Sequence, residues 1–189
     1  MGLGNSSSQG PANNAANNVS DKMEWWIETF VWILPAFCAN AIPVVISKFN
    51  LFGLRRPIDG GRNAPDGKRW LGDGKTWQGF ISAILAGTVA GHALSYFQMG
   101  SAMIGGIMGF GAIFGDAVGS LIKRRMGLKR GANAGLFERV DFLVFSLAFS
   151  IPFVNWGLKH ILLLFVTVPV IHRVANIIGY KLKMKDVPW

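Results

Sequence analysis

The residues of this chain best suited to chemistry bracket a basic segment. Asp116 lies inside an apolar run, Glu138 and Asp141 open the next one, and Lys123, Arg124, Arg125, Lys129, Arg130 and Arg139 fall between them. A carboxylate within a membrane-length apolar run is costly, and its default reading is functional. Carboxylates in twos and threes are hard oxygen donors. They suit Mg²⁺, which keeps several waters and takes further ligands from phosphates. Acids flanking a cationic loop therefore fit a polyanion that carries a divalent metal. Asp116, Ser120 and Lys123 are spaced i, i+4, i+7 and share one helical face, and Glu138 and Asp141, at i, i+3, share another. The competing structural reading has Glu138 and Asp141 favouring a helix N-terminus by charge, and Asp116 paired with Arg124 or Arg125.

A second constellation is Gly72-Asp73-Gly74-Lys75-Thr76, just before another apolar run. Glycines free backbone N–H groups, Lys75 offers a point charge, and a helix N-terminus attracts anions, so the segment reads as a phosphate-binding turn. It is not a Walker A loop, because Arg69 stands where that pattern requires glycine. The structural alternative is a capped helix start with a topology-setting lysine.

These groups must be held by membrane-length elements. The chain is 51% hydrophobic and only 15% charged, too apolar for an ordinary soluble domain. Apolar runs cover 25–46, 77–97, 101–122, 140–156 and 161–178. Each is near the ~20 residues that cross a bilayer, the fourth at the lower limit of about 17, and backbone in hydrocarbon must bond within itself, which dictates helices. The net charge of +9 sits in the connections between these runs, so membrane topology explains it better than nucleic acid, and no nucleic acid is expected. The basic loops 47–76 and 123–139 and the basic C-terminal tail fall on one side, against Lys22 and Lys159 on the other. By the positive-inside rule that side is cytoplasmic. The expected fold is an all-α integral membrane protein of five transmembrane helices, N-terminus outside and C-terminus cytoplasmic, with two cytoplasmic basic loops. Residues 1–22 read as a disordered polar tail and 23–189 as a single transmembrane catalytic domain in the cell membrane. The small-xxx-small spacings, among them Gly87/Gly91, Gly105/Gly109 and Gly115/Gly119, read as close helix packing. The alternative at Gly115 and Gly119 is close approach of a ligand beside Asp116. A funnel open to the cytoplasm and ending near Asp116 is expected.

Gly115-Asp116 with Gly119-Ser120, then Arg124-Arg125, then Glu138-Arg139-Val140-Asp141 resembles the phosphatidate cytidylyltransferase signature. Arg130-Gly131 stands where that signature has Lys-Asp, its His-Gly-Gly stretch is absent, and Glu138 replaces its first Asp. These departures and the PID…LGDGKTWQGF segment resemble the archaeal branch of the family, the CDP-archaeol synthases. The resemblance covers about residues 25–189. It implies a Mg²⁺-dependent reaction of CTP with an isoprenoid ether-lipid phosphate, giving a CDP-lipid and pyrophosphate. It also implies metal ligation by Asp116 and Asp141, with Glu138 a third. Lys123 and Arg124 would join the two aspartates in catalysis, and Gly72, Asp73, Lys75, Thr76, Ser120, Arg125, Lys129 and Arg139 would bind substrate. The expected partners are CTP, the lipid phosphate and the membrane, with a second copy of the chain as a further candidate. Competing functions are a CTP-dependent polyprenol kinase and a small anion transporter. The concentration of charge on one side argues against the transporter.

Overall fold

The computed structural model describes residues 24–47, 49, 53–128, 135 and 137–184, and of Phe137 and Glu138 the backbone only. The tail 1–22 and Lys129 lie outside the described residues. Five helices follow in order: α1 (Trp25–Ile46), α2 (Trp77–Ser95), α3 (Ala102–Arg125), α4 (Phe137–Ser150) and α5 (Leu158–Lys181). Among the described residues there is no strand, only two isolated bridges, Pro57 with Thr76 and Asn63 with Arg69. Helices α1, α3 and α5 are long and apolar enough to cross a membrane. At 1.5 Å per residue, α4, with 14 residues, covers about 21 Å, short of the ~30 Å hydrocarbon core.

Each apolar run of the sequence yields a helix, the first at its expected bounds and the others with shifted ends. Helix α3 runs beyond Ile122 and carries Lys123, Arg124 and Arg125 in its last turn, where cations face the negative end of the helix dipole. Helix α4 begins three residues before the expected Val140 and stops at Ser150, not at Trp156. Pro152 lacks an N–H and disfavours helical backbone at Ile151. The chain instead turns back, and the Trp156 indole donates to Ser150 Oγ at 2.8 Å.

The core lies where α1, α2, α3 and α4 meet, with Ile33, Ala36, Ala83, Met108, Phe142 and Leu143 almost fully buried. Close helix packing depends on missing side chains. A Cβ at Gly87 or Gly105 would collide with the other residue's carbonyl oxygen, so α2 and α3 cross in backbone contact. Ser146 Oγ donates to the Met108 carbonyl at 3.0 Å and ties α4 to α3. Helix α5 packs mainly through Leu164 and Val168 and leaves Leu158, Leu162, Val166 and Val170 exposed. That is the pattern of a face turned to lipid.

Candidate active site

The polar end of the bundle is built on the connection between α1 and α2. Its organiser is Asp59, whose side chain is 2% exposed. One oxygen, Oδ1, accepts from Arg69 Nη2 at 2.7 Å and from the Gly61 N–H at 3.1 Å. The other, Oδ2, accepts from Arg69 Nε at 3.3 Å and from the N–H groups of Leu71 and Gly72 at 3.0 Å each. Burial pushes this carboxyl up, but Arg69 and the N–H groups of Gly72, Leu71 and Gly61 outweigh it and hold it well below the usual carboxylate range. Gly72 sits at φ +94°, which a residue with a side chain adopts only with strain. From there the chain turns so that the Lys75 N–H donates to the Gly72 carbonyl at 3.1 Å.

That turn brings Lys75 to α3. Its Nζ lies 2.5 Å from Asp116 Oδ2, the pair being 17% and 35% exposed. Asp141 faces the same region from α4: a Cβ at Gly119 would collide with Asp141 Oδ2, and one at Gly115 with the Asp141 carbonyl oxygen. Asp141 Oδ1 accepts from the Phe142 N–H at 2.7 Å. Asp116, Lys75 and Lys123 all act electrostatically on the Asp141 carboxyl. Lys75 is thus paired with Asp116, Asp141 faces them from α4, and Lys123 lies two turns after Asp116 on α3.

The remaining expected residues divide. The Thr76 hydroxyl is the N-cap of α2 and accepts from the Gly79 N–H at 3.1 Å. The capping reading therefore holds for this residue, although Thr76 also lines the cavity beside Asp116. Asp73 points away and pairs with Arg69 at 2.7 Å. Asp116 does not pair with Arg124 or Arg125, because Lys75 reaches it first. Arg124 Nη1 donates to the Leu128 carbonyl at 2.6 Å, and its Nε lies 3.7 Å from where a Cβ of Gly72 would stand. Arg125 is a clamp: it pairs with Asp66 at 2.6 Å, donates to the Arg69 carbonyl at 2.6 Å, and lies over the Trp70 ring. Lys68 completes it by donating to the Arg125 carbonyl at 3.0 Å. Ser120 is buried and Arg139 half-buried. Among the described residues no three His, Cys, Asp or Glu stand close enough to hold a metal, and the Glu138 side chain lies outside them. The glycines of α3 follow the packing reading: Gly111 and Gly115 let the backbone of α4 approach, and Gly119 makes room for the Asp141 carboxylate.

The expected funnel is not open among the described residues. The cavity at Asp116, lined also by Pro43, Ile58, Gly74, Lys75 and Gly79, holds about 30 Å³, room for about one water. The Lys75 side chain, drawn onto Asp116, is part of the cavity's wall. A larger cavity of about 340 Å³ lies at the far end of the bundle, between Trp32, Leu94, Ile104 and Phe153. It has no charged lining and cannot hold a polyanion.

Sequence reasoning passed over Asp59 and Gln78. Gln78 is buried and donates to the carbonyls of Ile46 and Phe49 at 2.8 and 2.9 Å, tying α2 to the end of α1. The local signals at Asp59 are its place in the PID segment and between Pro57 and Gly60-Gly61, a turn pattern.

An all-helical bundle with apolar outer faces and one pole of interleaved carboxylates and cations defines a membrane-embedded, phosphate-handling protein. A CarS-like family model, that of CDP-archaeol synthase, matches residues 23–189, and the chain belongs to this family. The CDP-archaeol synthase of Thermococcus onnurineus is 44% identical over 168 residues, 85% of this chain and 95% of the relative. That of Methanococcus aeolicus is 38% identical over 179 residues, 86% of this chain and 96% of the relative. A solved structure of an intramembrane enzyme for archaeal membrane lipid biosynthesis is 37% identical. It covers 80% of this chain and 94% of its own, with a TM-score of 0.65.

Proposed function

We propose that the chain joins CTP to an isoprenoid ether-lipid glycerol phosphate, giving a CDP-lipid of the archaeol type and pyrophosphate, at the group formed by Lys75, Lys123, Asp116 and Asp141. Family membership supports the reaction, and the Lys75–Asp116 pair is the single observation that supports this location for it. An oxygen of the lipid phosphate bonds to the α-phosphorus of CTP. The bond from that phosphorus to the bridging oxygen breaks, and pyrophosphate leaves with the electron pair. The nucleophile is already an anion, so no general base is needed. The protein's work is alignment and charge neutralisation, for which Lys75, Lys123 and Arg124 are the candidates.

Asp116 and Asp141 also fit a divalent cation, expected to be Mg²⁺. The two carboxylates come from neighbouring helices, α3 and α4, and Mg²⁺ commonly takes one or two carboxylates and completes its shell from water and phosphates. Bound there, the ion would neutralise charge on the triphosphate. Glu138 is a third candidate ligand. All five helices are read as crossing the cell membrane with this pole in the cytoplasm, supported by the Lys and Arg of the loops around 68 and 125. The test is a product assay with labelled CTP and a panel of lipid phosphates. Pyrophosphate with a CDP-lipid supports the reading, whereas CDP with a phosphorylated alcohol would make the chain a kinase.

A further inference from the structure

We propose that Asp59 is a positioning residue that sets Lys75 for the triphosphate; the inference rests on the reading of Lys75 as a nucleotide ligand. Asp59 is not itself placed to bind metal or nucleotide. A carboxylate offers about four lone-pair sites, and this one already accepts five hydrogen bonds, from Arg69 twice and from Gly61, Leu71 and Gly72. Its bonds converge instead on the backbone that leads to Lys75. Oδ2 fixes the N–H groups of Leu71 and Gly72. The Gly72 carbonyl then receives the Lys75 N–H, and the Lys75 carbonyl receives the N–H of Ile58, the neighbour of Asp59, at 2.8 Å. Lys75 is thus held on both sides by chain that Asp59 organises. Its ammonium can reach Asp116 because its backbone is not free to move. Arg69 serves the same purpose from the other direction, spanning Asp59 and Asp73.

The test is a double-mutant cycle on the full-length protein in membranes, with Asp59→Asn and Lys75→Ala alone and together. An amide has one acceptor oxygen and cannot satisfy both halves of the cluster. Asp59→Asn should raise the KM for CTP about tenfold and leave the KM for lipid phosphate within about twofold. In the Lys75→Ala background it should add less than about twofold, since residues that act through one another are non-additive. If Asp59→Asn does not fold, Arg69→Gln, which opens the same cluster from its other side, enters the same cycle. A full, independent effect of Asp59→Asn on top of Lys75→Ala overturns the inference, as does an equal rise in both KM values. Wild-type kinetics for Asp59→Asn, with Lys75→Ala impaired, overturns the positioning alone. Unchanged CTP kinetics in Lys75→Ala overturns the assignment of Lys75 itself, and the inference with it.

Discussion

At the scale of single residues, the decisive feature is that Asp116 and Asp141 come from different helices and meet beside Lys75 and Lys123. Asp116→Asn and Asp141→Asn should each cut turnover by about a thousandfold or more while the protein still folds. Losing a metal-binding or lysine-orienting carboxylate should cost several kcal/mol of transition-state stabilisation, and about 1.4 kcal/mol is tenfold in rate. A steady-state assay beside a thermal-unfolding curve checks this. Activity within about tenfold of wild type for both variants removes them from the site. The Asp59 cluster makes a separate prediction about acid. Its folded carboxyl lies below the ordinary 3.8 of an aspartate, so its contribution to stability is present in full above that value. It is lost as pH falls through the folded value. The difference in thermal midpoint between wild type and Asp59→Asn should therefore stay constant from about pH 8 to pH 5 and shrink only in stronger acid. A difference that disappears between pH 7 and 5 would mean that Asp59 is not the anion holding the loop.

At the scale of elements, the glycines of α2 and α3 separate into two kinds. At Gly87 and Gly105 an added methyl meets backbone of the facing helix, whereas at Gly119 it meets the Asp141 carboxylate. Gly87→Ala should cost roughly 1–3 kcal/mol of stability, as overpacking does. Gly119→Ala should leave the unfolding midpoint almost unchanged and reduce activity at least about tenfold, because it displaces a carboxylate by part of an ångström. Equal loss of stability in the two variants would make Gly119 a packing residue only. The helices themselves were legible in the sequence, since an apolar run long enough to span hydrocarbon has little choice but to be helical. The end of α4 was not, because a proline and a Ser150–Trp156 bond decided it. Asp116 and Asp141 could be read because an acid in an apolar run stands out. Asp59 could not, because its meaning comes from Arg69, Leu71 and Gly72 folding back over it, ten to thirteen residues later. Arg124 and Arg125 look alike in sequence, yet one points to the Leu128 carbonyl and the other staples the loop.

At the scale of the whole molecule, the reading requires the charged pole to face the compartment that holds CTP. On a Cys38→Ser background, the chain's single cysteine having been removed, new cysteines at Lys68 and Lys129 should react with impermeant reagent only from the cytoplasmic side. Labelling from outside alone would end both the topology and the nucleotide reading. The short α4 has a consequence of its own. Helix α3 has 24 residues and α4 has 14, so their lengths differ by about 15 Å. A molecule of uneven hydrophobic height does not sit in a flat bilayer, and lipids beside its low flank must thin, at a fraction of a kcal/mol per ångström of mismatch. Asp141 lies near the start of that short helix. On the reading that all five helices span, the membrane is expected to thin beside α4 and to bring lipid phosphates toward the carboxylates. On that reading the lipid substrate would be delivered by deformation of the solvent it is dissolved in. Turnover in reconstituted vesicles should accordingly fall as the acyl chains of the host lipid are lengthened. A rate indifferent to bilayer thickness would show that the phosphate reaches the site by another route.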